Sequence, residues 1–155
     1  MIKINRRLEY ALMILDFYHQ NQQISRATVR QISGQLHLPY DSVARVMQKL
    51  TKLKIFQSDQ GVQGGYYLIR PLSEINLVEL SEQLENKPFG PDCHQGPCEH
   101  YQHCNIKTPI TQLRSQVKQY FSQLSVAQVL MNQTQEEQNH QPELKTDLET
   151  EEQSL

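Results

Sequence analysis

The side chains able to do chemistry are concentrated in one short stretch, CHQGPCEHYQHC, from Cys93 to Cys104. It holds every cysteine of the 155-residue chain, with four residues between Cys93 and Cys98 and five between Cys98 and Cys104. His94, His100 and His103 are interleaved, and Gly96 and Pro97 bend the backbone between the first two thiols. Thiolate is a soft ligand that selects iron–sulfur clusters, copper(I) or zinc. The gaps are wider than the two-residue spacing of a zinc knuckle, and no paired CxxC…CxxC arrangement is present, so structural zinc is the second reading. Three thiolates plus one ligand of another kind suit an iron–sulfur cluster, of the 4Fe–4S or the 2Fe–2S kind. The plain alternative is a metal-free loop whose thiols are neighbours by chance.

The elements around this loop follow from periodicity. Residues 6–20 predict a helix in which Leu8, Ala11, Leu12, Leu15 and Tyr18 recur on one face, with Ile14 and Phe17 beside them and Asn5 as cap. Glu9 lies one turn in, and by residue type alone it is a solvated surface acid. Ser25 is expected to cap a helix near residues 26–36 that buries Val29, Ile32 and Leu36. After the break at residues 37–39, a further helix over 40–53 turns Val43, Val46, Met47 and Leu50 inward. Two short helices joined by a three-residue turn have the dimensions of a helix-turn-helix. Arg45, Lys49 and Lys52 fall in one row on the second helix, and Tyr40, Asp41 and Ser42 occupy the end that reaches base edges in such motifs.

Residues 55–58 and 66–69 read as strands joined by DQGVQGG, with Gly61, Gly64 and Gly65 available for the turn. A helix-turn-helix followed by a β-hairpin is a winged helix, so the expected fold is mainly α with one small β-hairpin. The residues expected to face DNA are Arg26, Tyr40, Asp41, Ser42, Arg45, Lys49, Lys52, Gly64, Gly65 and Tyr66. Asn76 opens a helix running to Leu84, and Pro88, Pro91 and Pro97 bracket the cysteine loop. Thr108 and Pro109 then open a long helix with Leu113, Val117, Tyr120, Phe121 and Leu124 along one stripe, extended by Val126, Val129 and Leu130. A solitary helix cannot hide that stripe, so pairing with a second copy as a two-fold homodimer is expected. The expected organisation is a DNA-binding unit over residues 1–72, a cluster loop with a dimerisation helix over 73–131, and a disordered acidic tail over 132–155.

Charge supports this reading only when divided along the chain. Residues 1–70 carry ten Lys/Arg against four Asp/Glu, whereas residues 132–155 carry seven acids and only Lys145. A basic N-terminal half fits a polyanion such as double-stranded DNA. No apolar run approaches the roughly 18 residues of a membrane span, so no membrane partner is expected. Three reduced cysteines in a chain without a signal-like segment fit the cytoplasm. The three-and-two cysteine spacing of radical enzymes, a phosphate-binding loop after a strand and a nucleophile elbow are all missing, so an enzyme is not expected.

The wing sequence GVQGGYYLIRP at residues 61–71, EYAL at 9–12, the helix over 75–84 and the three-cysteine loop occur in this order. Together they resemble the bacterial winged-helix iron–sulfur transcriptional regulators of the IscR and NsrR type, over roughly residues 1–131. The resemblance implies a homodimer on a partly palindromic operator, with the cluster near the dimer interface. The cysteine spacing is closer to the nitric-oxide-sensing branch. The biogenesis branch has a histidine three positions after its last cysteine, where this chain has Lys107, which is no ligand when protonated. In the nitric-oxide branch an aspartate of the first helix, from the other subunit, matches Glu9. The ligand set implied is therefore Cys93, Cys98 and Cys104 with Glu9 of the partner subunit, or with His94, His100 or His103 in its place. Ala44 stands where the family often has a glutamate that reads the operator. The implied function is a regulator whose operator affinity is switched by a cluster sensing nitric oxide, redox state or iron–sulfur status. A zinc-stabilised or cluster-free thiol-sensing repressor is the alternative.

Overall fold

A computed structural model describes residues 5–61, 64–89 and 98–131. Expectations for Cys93, His94 and the acidic tail lie outside the described residues. Helix α1, Arg6–Gln20, begins where the sequence places it, because Asn5 is extended and its side chain accepts from the N–H groups of Arg7 and Leu8, both at 3.0 Å. Its Leu8, Ala11, Ile14, Leu15, Phe17 and Tyr18 are buried, and it packs against four of the other helices.

Helix α2, Val29–Leu36, starts later than expected, and Thr28 rather than Ser25 caps it through a reciprocal capping box with Gln31. The cause is Ala27. Its N–H donates to Tyr66 O at 3.0 Å and its carbonyl accepts from Tyr66 N–H at 2.9 Å, so the backbone is held extended beside the hairpin. His37 ends α2 in the left-handed conformation, and Pro39 leads into α3, Tyr40–Lys52. Val43, Val46, Met47 and Leu50 of α3 are buried as the pattern requires.

Strands β1, Phe56–Asp59, and β2, Gly65–Leu68, pair antiparallel with Phe56 opposite Leu68 and Asp59 opposite Gly65. Each is shifted by one residue from the expected span. The turn needs glycine at two places: Gly61 has φ +115°, and a Cβ on Gly64 would lie 2.6 Å from Asp59 O. A 3-10 turn, Leu72–Glu74, leads into α4, Leu77–Glu85, which Asn76 caps by accepting from the N–H groups of Val78 and Glu79.

The expected single long helix is two helices. Helix α5, Lys107–Phe121, starts with Ile106 at the cap position instead of Thr108, and it ends where Asn76 Nδ2 donates to Ser122 O at 2.6 Å. Leu77 N–H then donates to Leu124 O and Val126 N–H to Ile75 O, a short antiparallel strap that pulls the chain out of helix. Ser125 and Gln128 bond reciprocally and restart the chain as α6, Val126–Met131. Helix α6 folds back on α1 and the 3-10 turn, burying Val126, Ala127 and Leu130. Those residues join Leu72, Ile75, Leu80 and Leu84 in the same core as α1 and α3, so apolar packing is continuous across residue 72. Helix α5 has no buried residue, and Leu113 and Tyr120 are 55% and 64% exposed.

Candidate nucleic-acid interface and thiol loop

Helix α3 presents the expected reading end. Tyr40 and Asp41 are exposed, Ser42 is half-buried, and Arg45 and Lys52 are exposed further along. Gln48, absent from the expected set, is also exposed and completes the row Asp41, Arg45, Gln48, Lys52 opposite the buried face. Its signal was the helical repeat counted from Asp41, which a search for positive charge alone overlooks.

Lys49 departs from the row. Its ammonium donates to Leu84 O at 3.1 Å, Asn86 Oδ1 at 3.3 Å and Gln83 O at 3.4 Å, so it reaches sideways to the end of α4. The physical reason is the run of carbonyls that a helix C-terminus leaves without intrahelical donors, together with the negative end of the helix dipole.

The wing is fastened from two sides. Tyr18, buried on α1, donates its hydroxyl to Tyr66 O at 2.7 Å, and burial pushes the Tyr18 phenol well above its ordinary range. Arg26 pairs with Asp59 at 3.0 Å and lies 5.3 Å over the Tyr67 ring, so it braces the hairpin root. Gly65 allows the close approach of Ala27, whose carbonyl oxygen would be 3.0 Å from a Cβ there. Gly65 and Tyr66 therefore shape the hairpin's base, while Gly64 belongs to its turn.

Of the expected metal ligands, Cys98 and Cys104 are described and both are free thiols, Cys98 exposed and Cys104 half-buried. Turns fold the segment between them, with Tyr101 N–H donating to Cys98 O and His103 N–H to His100 O. His100 and His103 are exposed, and Lys107 Nζ sits 3.6 Å over the Tyr101 ring. Glu9 is exposed on α1. Among the described residues no group of three or more His, Cys, Asp or Glu is assembled for a metal ion.

A clamp that sequence reasoning missed holds the entrance to the loop. Glu82 of α4 accepts from Phe89 N–H at 2.9 Å and from Lys118 Nζ of α5 at 2.7 Å. Arg114 Nε donates to Phe89 O at 3.1 Å, and the Phe89 and Phe121 rings are 5.5 Å apart. Burial alone would raise the Glu82 carboxyl, but the hydrogen bonds from Lys118 and Phe89 and the charges of Lys118 and Arg114 outweigh it and hold the group below its ordinary range. An acid one turn from a helix end carries no pattern that marks such a role.

Comparison with known proteins fits this geometry. The described residues contain no helix long and apolar enough to cross a membrane. Over 85 residues, 55% of the chain, the sequence is 29% identical to the HTH-type transcriptional regulator NsrR of Oceanobacillus iheyensis, and the match spans 58% of that relative. The fold resembles that of T. potens IscR, with TM-score 0.62 and 15% identity over 92% of this chain and 93% of that one. It also resembles Staphylococcus aureus CymR, with TM-score 0.60 and 16% identity over 81% of this chain and 96% of that one. Residues 4–132 match the family described as Rrf2, iron-dependent transcriptional regulator, and the chain belongs to that family of DNA-binding regulators, not to an enzyme family.

Proposed function

We propose that this chain is a cytoplasmic, homodimeric repressor that grips a partly palindromic operator, and that an iron–sulfur cluster in the thiol loop sets the grip. The observation that carries the reading is a pair of free thiols, Cys98 and Cys104, in a turn-rich segment directly ahead of α5. With Cys93 they supply three soft donors, a set that fits such a cluster, and Glu9 of the partner subunit or one of His94, His100 and His103 would complete it. When bound, the cluster would supply a cross-link across the loop that nitric oxide, oxygen or iron shortage can undo.

The chain's own residues do the rest. Arg45 and Lys52 meet phosphates, Tyr40, Asp41, Ser42 and Gln48 meet base edges, and Arg26 and Tyr18 hold the wing against the adjacent groove. Two copies paired through α5 set the separation of the two α3 helices, which must match half-sites about 34–36 Å apart. A loop-dependent change of only about 1–3 kcal/mol in that fit alters occupancy tenfold or more.

A second reading has one observation in its favour: Cys98 is exposed and free, and the fold is shared with a CymR whose oxidized form is known. Anaerobic purification with absorbance, iron, sulfide and zinc assays, native mass and DNA binding separates the two. Iron and sulfide bound to a dimer, with affinity changed by nitric oxide, supports the cluster. Stoichiometric zinc, or metal-free protein whose affinity responds to oxidant alone, overturns it.

A further inference from the structure

We infer that Lys49 is a positioning residue that couples the thiol loop to the reading helix, and is not a phosphate contact. The inference deepens the reading above and rests on it for the nature of the signal. Three contacts in series carry it. Phe89, at the loop entrance, is held through its N–H by Glu82 and through its carbonyl by Arg114. Glu82 belongs to the last turn of α4, where its carbonyl also accepts from the N–H groups of Asn86 and Lys87. The next two carbonyls of that turn, Gln83 and Leu84, and the Asn86 side chain accept from Lys49.

An ammonium has three protons, and here three acceptors within 3.5 Å surround it, which leaves it no donor aimed at a phosphate. Lys49 lies one turn C-terminal to Arg45 and one turn N-terminal to Lys52 on the same helix. Any displacement of the α4 terminus is therefore passed to α3 between its two exposed cations. Asn86 sits in the left-handed conformation at φ 53°, so the α4 terminus is a defined cap whose position the clamp on Phe89 can bias.

The test uses the full-length dimer and a duplex selected from random sequence. Lys49→Met, Lys49→Arg and the unaltered protein are titrated with the loop loaded by anaerobic iron and sulfide and with it metal-free. Lys49→Met should keep the metal-free affinity within about twofold and the same salt dependence. Its ratio of loaded to metal-free affinity should fall at least fivefold toward one, and Lys49→Arg should restore the ratio. An equal loss in both states, with the salt slope reduced by about 0.9, would make Lys49 a phosphate contact and overturn the inference.

A second arm needs no metal. In metal-free protein, Glu82→Gln should speed hydrogen exchange at least threefold at amides 49–53 when Lys49 is present, and leave them unchanged in the Lys49→Met background. Unchanged exchange at those amides in the Glu82→Gln single variant overturns the coupling. Protein that takes up no iron refutes the cluster reading alone, because the exchange arm still decides for or against Lys49.

Discussion

Replacing Tyr18 by phenylalanine isolates one hydrogen bond between the central helix and the wing, and its effect should change sign with pH. The ring stays: its edge contacts with Phe17 at 5.4 Å and Phe56 at 4.9 Å need no hydroxyl. What is lost is the 2.7 Å bond to Tyr66 O, an acceptor that keeps its second donor, Ala27 N–H. No orphaned buried group remains, so the loss should sit near the net value of a single bond, about 1 kcal/mol. That corresponds to a Tm lower by about 4 °C at neutral pH. The phenol's pKa is raised in the folded state by burial. Its contribution is therefore fully present below the unfolded value of about 10 and is lost as pH rises toward the folded one, at about 1.4 kcal/mol per pH unit. The other tyrosines titrate alike in both proteins and cancel in the comparison. The stability curves should thus cross near pH 11, above which Tyr18→Phe is the more stable. Urea denaturation at pH 7, 10 and 11 measures this. Parallel curves across that range, or a neutral-pH loss above about 2.5 kcal/mol, would refute the assignment.

Alanine at Arg45 or Lys52 should weaken binding to all duplexes alike and lower the salt slope by about 0.9 each, whereas Gln48→Ala should alter preference at one base position, measured by competition among operator variants. Gly64→Ala puts a Cβ 2.6 Å from Asp59 O, so the turn must refold: DNA affinity should drop about tenfold on a rough 1.4 kcal/mol scale, while Tm stays within about 2 °C. Because the folded Glu82 carboxyl lies below its ordinary range, its clamp is present above about pH 4.3 and is lost as pH falls through the depressed value. Exchange at the Phe89 amide should rise there, and Glu82→Gln should flatten that dependence. Glu9→Ala should leave metal-free DNA binding unchanged and speed cluster loss severalfold, read from the visible absorbance under air; equal lifetimes would remove Glu9 from the ligand set.

Local signals were legible where one residue's chemistry decides one backbone event. Asn5 and Asn76 cap the helices they precede, and the inward sets of α1 and α3 follow their 3.6-residue repeats. The misplacements share a cause, which is pairing with a segment distant in sequence. Ser25 loses the cap to Thr28 because Ala27 pairs with Tyr66, and the last helix breaks because residues 124–126 pair with 75–77. Neither partner can be read from the local stretch. Lys49 shows the same limit at the site: residue type and spacing put it in a basic row, while the carbonyls that capture it lie 34 and 35 positions away.

The break after Phe121 also changes the argument for pairing two copies. Val126, Ala127 and Leu130 are buried within their own chain, so they cannot contribute to a partner surface. What remains on α5 is narrower and more regular. Ile106, Ile110, Leu113, Val117 and Tyr120 alternate at spacings of four and three, the a/d pattern of a two-stranded seam, and Ile106, Leu113 and Tyr120 are each more than half exposed. A stripe of that width is matched by an identical helix and is too narrow to require a larger apolar partner. Its first residue, Ile106, is two positions past Cys104, so the thiol loop and the seam share a terminus. In the proposed dimer, a change in loop shape then acts on the start of the paired helices as well as on Phe89. The loop would have two levers on the separation of the α3 helices, one through the partner and one through Lys49, and only the second should survive in a forced monomer.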